Sequence, residues 1–138
     1  MKLLDFLLAN RVPLNVEDYK VHLAKWADTD PLQAYHDGTF QEWQEWQTKR
    51  NFPADHVLSL IALPKRDRWL FAGIYAMRDP VKQRERLYRY SSTLIIESQP
   101  LIGRLIVKHE RKGRQPYIYG SRDAFELVEM LEEPLSVA

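Results

Sequence analysis

Two apolar runs separated by a short charged segment dominate the hydrophobic pattern of this chain. Residues 58–63 and 69–75 are apolar on both of their alternating faces, and residues 64–68 between them are a proline followed by four charged residues. Apolar runs of this length are typical of strands that are covered on both faces. The pattern therefore predicts a buried β-hairpin at the centre of the fold.

Further strands and helices are predicted on either side of this hairpin. Strand patterns cover residues 86–96, 103–110 and 115–120, and residues 111–114 form a turn whose glycine supplies positive φ. Residues 16–26 fit a helix or a strand, and the alternation of Tyr19, Val21 and Leu23 favours the strand. Helical spacing and capping residues predict helices over residues 2–10, 40–49 and 122–131.

These elements predict an α+β fold in a single domain that covers residues 1–138. Residues 1–52 would form a mainly helical N-terminal part, residues 53–120 an antiparallel, barrel-like β-sheet, and residues 121–138 a closing helix and tail. Antiparallel pairing is expected because short turns join consecutive strands. Several such strands with few helices favour a strongly bent sheet or small barrel.

The amino-acid composition limits the cellular location and the partners that can be expected for this protein. The chain has no cysteine, which excludes disulfides and thiolate metal sites and favours a cytoplasmic location. No apolar run is long enough for a membrane span, and Asp5 interrupts the apolar start of the chain. We therefore expect no membrane partner.

Charge is unevenly distributed, although the net charge is only +1. Residues 104–122 contain six cations and one carboxylate, whereas residues 123–138 contain five carboxylates and no cation. A basic middle and an acidic tail either neutralise each other in the fold or present two separate faces. The sequence leaves both arrangements open.

No combination of residues in the sequence indicates catalysis. The four histidines are far apart and have no metal-ligand spacing, and the five glycines form neither a phosphate-binding loop nor a dinucleotide motif. The adjacent Glu132 and Glu133 fall at the end of the last predicted helix and do not form an acid/base pair. We therefore expect a protein without enzymatic activity that uses no cofactor and no metal, and we rank an enzyme with a small-molecule pocket last.

Basic residues interleaved with aromatic residues are the remaining functional signal. Nucleic acids are bound by cations that contact phosphates and by flat rings that stack on bases. The surface predicted on this basis consists of Lys49, Arg50, Arg66, Arg68, Trp69, Tyr88, Arg89, Tyr90 and Arg114. Its arginines would contact phosphates, and Trp69, Tyr88 or Tyr90 would offer a stacking face. Taken singly, each group also fits ordinary core tryptophans and half-buried strands.

Several short motifs follow one another along the chain. They are Thr39-Phe-Gln-Glu-Trp-Gln-Glu-Trp-Gln47, Arg50-Asn-Phe52, Leu58-Ser-Leu-Ile61, Asp67-Arg-Trp-Leu-Phe-Ala-Gly-Ile-Tyr75, Tyr88-Arg-Tyr-Ser91 and Leu101-Ile-Gly-Arg-Leu-Ile-Val107. Together they resemble the non-catalytic N-terminal region of bacterial proteins whose C-terminal half is a GIY-YIG nuclease domain. The resemblance spans roughly residues 40–135 and implies a recognition or regulatory module.

The catalytic motif of that nuclease domain is not reproduced. Gly73-Ile-Tyr75 spells one half of the motif and Tyr117-Ile-Tyr-Gly120 loosely echoes the other, but more than forty residues separate them. In the nuclease domain the two halves lie close together on adjacent strands. The catalytic arginine and the metal-binding glutamate of the family also have no matching positions, so the resemblance implies no catalytic residue here.

The sequence therefore predicts a non-catalytic DNA-binding module that accompanies a nuclease domain in cis or in trans. A longer natural protein would then be the nuclease. The alternative is a protein-interaction domain, in which the acidic helix 122–131 docks a partner or a homodimer forms across an open strand edge.

Overall fold

The structure is a computed structural model that describes residues 1–14, 19–24, 31–40, 46–47, 56–85, 87–109, 117–118 and 125–135. In chain order the elements are α1 (Leu3–Ala9), β1 (Tyr19–Ala24), α2 (Pro31–His36), β2 (Trp46–Gln47), β3 (His56–Ala62), β4 (Arg68–Arg84), β5 (Leu87–Leu94), a 3₁₀ helix (Ile96–Leu101), β6 (Leu105–Lys108), β7 (Tyr117–Ile118) and β8 (Glu126–Met130). The strands form one mixed sheet, so the α+β class is confirmed. The main path through this sheet is β2-β5-β4-β3-β1-β7, and β6 joins β4 to β8.

The sheet is neither wholly antiparallel nor closed within the described residues. β1 and β3 run parallel, from the pair Tyr19–His56 to the pair Ala24–Ile61. The long connection between them contains α2 and β2, which gives the chain the length that a parallel return requires. β7 pairs with β1 and not with β6, and the two end strands β2 and β7 do not pair with each other. The turn predicted at 111–114 lies outside the described residues.

Pairing between distant segments replaces two stretches of predicted helix with strands. β8 pairs with β6 from Leu105–Met130 to Lys108–Glu126, so the closing C-terminal helix is wrong over these residues. Hydrogen bonds from Leu127 N to Met1 O and from Leu3 N to Phe125 O hold the other edge of this segment. The helix predicted over 40–49 is also wrong at its end, because residues 46–47 form β2 and pair with β5.

Most of the sheet is attached to β4. One edge of β4 pairs with β3, from Val57–Tyr75 to Ala62–Trp69. The other edge pairs with two strands in succession, with β6 beside residues 68–70 and with β5 beside residues 75–84. β5 and β6 thus act as one antiparallel neighbour, interrupted where the chain leaves the sheet to form the 3₁₀ helix.

Hydrogen bonds continue along β4 across this interruption. Ile95 N donates to Ile74 O at 2.8 Å, and Gly103 N donates to Phe71 O at 2.9 Å. Ile74 N donates to Ser98 Oγ at 3.2 Å, so a buried side chain replaces the missing strand carbonyl. The edge of β4 therefore stays paired although no strand lies beside it there.

A bulge bends β4 at the same place. The register with β3 shifts between Leu58 and Leu60, so Ala72 and Gly73 share the place opposite Ser59. Gly73 has a φ of +111°, a conformation that residues with a Cβ rarely adopt. The glycine is therefore required by the backbone.

Both faces of the sheet are covered. On one face, alternate residues of β1, β3 and β4 pack with α1, the segment after α1 and Phe125. On the opposite face, Ala24, Ile61 and Leu70 pack with α2, Phe40 and the C-terminal residues Leu131 and Leu135. This burial explains why the strands at the centre are apolar on both sides. Within the described ranges, no helix is long and apolar enough to cross a membrane.

Replacing Gly73 with alanine should destabilise the protein more than the same change at Gly38. Both glycines have positive φ, +111° and +75°, so both variants strain the backbone. A Cβ at Gly73 would also lie 3.1 Å from Ile102 Cδ1 and from atoms of the Tyr75 ring, whereas a Cβ at Gly38 would meet nothing within 4 Å. We expect urea unfolding to show losses of about 1 kcal/mol for G38A and about 3 kcal/mol for G73A. Equal losses would contradict the close packing at Gly73.

Candidate nucleic-acid interface

A row of charged residues crosses four neighbouring segments at the end of the sheet where β3 turns into β4. Arg68 on β4 and Lys108 on β6 are direct partners. Lys108 is also the partner of Glu126 on β8, and Glu126 forms a bridge with Lys2. Direct partners in antiparallel strands point to the same side of a sheet. The four residues therefore share one face.

The β3–β4 turn adds two exposed cations. Lys65 is exposed, and the Arg66 side chain is 87% exposed. Arg68 N donates to Lys65 O at 3.2 Å and Leu63 N donates to Arg68 O at 3.0 Å, which fixes the turn. Asp67 has a φ of 59°, a left-handed conformation that aspartate tolerates. Its carboxylate lies 3.8 Å from Arg66 Nε, and such an exposed contact is weak.

We name this cluster the basic tip; it consists of Lys2, Lys65, Arg66, Arg68 and Lys108, accompanied by the carboxylates of Asp67 and Glu126. Among the residues that the structure describes, cations therefore outnumber carboxylates in this cluster. Like charges on directly opposed strand positions, such as Arg68 and Lys108, destabilise a sheet. An anion bound at the basic tip would offset that repulsion, and arginine and lysine both suit phosphate.

Trp69 anchors the basic tip from inside the core. Its side chain is only 4% exposed, and its indole N–H donates to His109 O at 3.0 Å. His109 N in turn donates to Asp67 O at 3.0 Å, and the His109 ring stacks on Phe125 at a centroid distance of 4.1 Å. Trp69 therefore holds the turn in place and does not offer the stacking face expected from the sequence.

The predicted binding residues that the structure describes lie in two groups at opposite ends of β4. Arg68 is the first residue of β4 and Arg66 precedes it, whereas Arg89 on β5 pairs with Val81. Thirteen positions, from 68 to 81, correspond to roughly 40 Å at about 3.3 Å per residue. Tyr88 and Tyr90 lie beside Arg89 at this far end. Lys49, Arg50 and Arg114 lie outside the described residues.

Three members of the basic tip were not among the predicted binding residues. Lys65 lies in the charged turn that the hydrophobic pattern delimits, so the sequence contained a signal for it. Lys2 and Lys108 enter the cluster through the pairing of β8 with both β6 and the N-terminal segment. Because residues 122–131 were predicted to be a helix, no local sequence pattern could indicate that Lys2 and Lys108 lie close together.

A second group of polar side chains is sealed inside the sheet. Lys20, His22 and Ser59 are 2%, 6% and 0% exposed, and His22 on β1 is the direct partner of Ser59 on β3. Each of the three interacts with a partner in the protein. Tyr75 is equally buried and donates its hydroxyl proton to Ala72 O at 2.8 Å, and burial raises the pKa of Tyr75 to about 12. We interpret this group as structural, because a substrate could not reach it without opening the sheet.

Comparisons with protein-family models, with curated proteins and with solved structures found no match to this chain. The resemblance to the N-terminal region of GIY-YIG nuclease proteins thus stays a prediction from the sequence. Among the described residues, no group of three or more histidines and carboxylates could hold a metal ion. The basic tip is the site on which a functional proposal can be built.

Acid should destabilise the protein through His22. Burial, together with the charge of Lys20, lowers the pKa of His22 from 6.5 to about 4. The unfolded chain therefore takes up a proton near pH 6.5 while the folded protein remains neutral at this residue. The resulting stabilisation is complete above pH 6.5 and is lost as the pH falls towards 4, by roughly 3 kcal/mol in total.

Urea unfolding of the wild type and of His22→Gln across this pH range measures the effect. The difference in stability between the two proteins should shrink as the pH falls, because glutamine does not titrate. His36→Gln, at a half-buried histidine near the end of α2, is the matched control and should keep the decline of the wild type. A constant difference between wild type and His22→Gln would contradict the assignment.

Proposed function

We propose that this chain is a non-catalytic recognition module that binds duplex DNA through the basic tip. The observation that carries the proposal is the direct pairing of Arg68 with Lys108, with the exposed Lys65 and Arg66 in the adjoining turn. The carboxylates of Asp67 and Glu126 offset only part of the positive charge of this cluster, and a bound polyanion can offset the rest. Duplex DNA supplies closely spaced phosphates that several cations can contact at once.

The side chains of the basic tip favour contacts with DNA phosphates. Such contacts would position the module on DNA without selecting a base sequence. Arg66 can present its planar guanidinium to two oxygens of one phosphate, and Lys108 can act as a point charge. Trp69 is buried and offers no stacking face. Phosphate contacts carry no base information, so binding through the basic tip should depend strongly on salt and weakly on sequence.

In this proposal the module works in the cytoplasm beside a GIY-YIG-type nuclease domain, present in cis or in trans. The support is the ordered set of motifs, in particular the stretch from Asp67 to Tyr75. This stretch begins in the turn of the basic tip and continues through the buried half of β4. The module would hold DNA, and all catalytic groups would belong to the nuclease domain.

One alternative function was a protein-interaction domain that docks a partner through an acidic helix over residues 122–131. The structure does not contain that helix over residues 126–130. Residues 126–130 are the strand β8. One edge of this strand pairs with β6. The other edge is bridged to Lys2, and Leu127 N of β8 donates a hydrogen bond to Met1 O. The acidic segment is therefore part of the sheet and does not present a free helix.

Neutralising cations of the basic tip should weaken DNA binding and flatten its salt dependence. Each phosphate contact contributes about 0.9 to the slope of log K against log salt concentration. The double variant Arg66→Gln/Lys108→Gln should therefore lower that slope by up to about 2 if each side chain contacts one phosphate. Fluorescence anisotropy with a labelled duplex, over salt concentrations from about 50 to about 200 mM, measures both quantities.

Two variants serve as matched controls. Arg11→Gln removes an exposed cation after α1, outside the basic tip, and should bind as the wild type does. Arg66→Lys keeps the charge and should retain most of the affinity. If the double variant binds with unchanged affinity and an unchanged slope, the basic tip is not the DNA site.

A further inference from the structure

β4 continues well beyond β3, the strand that pairs with one of its two edges. Pairing with β3 ends at Val57–Tyr75, whereas pairing with β5 continues to Arg84–Leu87. Residues 76–85 and 87–94 therefore form an extension; we name the segment 76–94 the arm. β2 adds two residues on the β5 side of the arm, and no described strand pairs with the opposite edge over residues 76–84. Within the described residues, the arm extends beyond the end of β3, at the end of the sheet opposite the basic tip.

The arm carries an excess of positive charge. Its cations are Arg78, Lys82, Arg84, Arg86 and Arg89, and its carboxylates are Asp79 and Glu85. The side chains of Val81, Lys82 and Gln83 are exposed, and Val81 is 59% exposed. A cationic segment whose residues 81–83 are exposed favours an anionic partner.

The edge of β4 that has no described partner over residues 76–84 is poorly suited to pairing with a strand of another molecule. Pro80 has no N–H to donate to a new neighbour. The register with β5 shifts between Arg78 and Val81 and again between Lys82 and Arg84, which distorts the edge. Prolines, lysines and bulges are the features by which proteins protect an edge from strand addition. The positive charge of the arm therefore indicates the kind of partner better than the hydrogen-bonding groups of its backbone edge do.

We propose that the arm is a second phosphate-contacting element and that a DNA duplex lies along β4, touching the arm and the basic tip together. This inference rests on the proposed function of the basic tip and adds its geometry. The two elements are separated by roughly 40 Å along β4. Because the bulge at Gly73 bends β4, this contour length is the greatest distance between the two elements, and at about 3.4 Å per base pair a duplex of about 12 base pairs is long enough to reach both.

Binding to labelled duplexes of about 10 and about 24 base pairs tests this length requirement, since only the longer one spans the distance of about 12 base pairs derived above. After correction for the number of binding positions, the longer duplex should bind at least tenfold more tightly, because its second contact is intramolecular. The variant Lys82→Gln/Arg84→Gln should lose this advantage. Its affinity for the longer duplex should fall about tenfold, and its affinity for the shorter duplex should stay within about twofold of the wild type.

Lys82→Arg is the matched control in the arm, because it keeps the charge and should bind both duplexes as the wild type does. If the arm variant binds both lengths normally while Arg66→Gln/Lys108→Gln loses affinity, the inference is overturned and the proposed function stands. If neither duplex binds at low salt, both are overturned. Light scattering measures whether the protein forms a dimer in the absence of DNA. If it does, and if the arm variant abolishes the dimer, the arm contacts a second copy of this chain and the inference is overturned.

Discussion

The hydrogen bonds along the outer edge of β4 are the constraint on which the rest of the structure depends. In a buried strand, an unpaired N–H or C=O costs about 1–3 kcal/mol, so each group between β5 and β6 needs a partner. Ser98 meets this need where the chain leaves the sheet. Its hydroxyl accepts from Ile74 N and donates to Ile95 O at 2.7 Å, and the side chain is completely buried. Without this substitute acceptor, Ile74 N would lack this hydrogen bond at the place where β5 and β6 share one edge of β4.

Both proposed contact regions follow from this shared edge. β6 lies beside the beginning of β4, which places Lys108 next to Arg68. β5 lies beside the end of β4, which supports the arm after β3 has stopped. A single strand therefore sets the distance between the basic tip and the arm. The bulge at Gly73 lies between them, so its geometry influences how the two ends are oriented towards one partner.

The sequence was most informative where one element alone determines the pattern. The runs in β3 and β4 are apolar on both faces because both faces are covered, and the helix α1 and strand β1 also follow from local spacing. β8 was missed because the spacing of Leu127 and Leu131 fits a helical stripe equally well, and only pairing with β6 and with the N-terminal segment decides between them. The same pairing assembles the basic tip. Trp69 belongs to the apolar run 69–75, which predicts a buried strand. Its assignment to a binding surface therefore conflicted with the hydrophobic pattern of the sequence.

Within residues 104–109 and 125–135, one strand pair joins a carboxylate of the acidic C-terminal segment to a cation of the basic segment before it. Glu126 pairs with Lys108 and belongs to the basic tip. β8 then runs away from that end, so Glu129 pairs with Ile106 and Leu131 N donates to Arg104 O. The exposed Glu132 and Glu133 lie further along the same direction. The carboxylates thus follow the β8 side of the sheet, where they would repel a polyanion. A duplex bound to both cationic ends of β4 would therefore meet like charge along β8 beyond Glu126, which disfavours orientations that follow this strand.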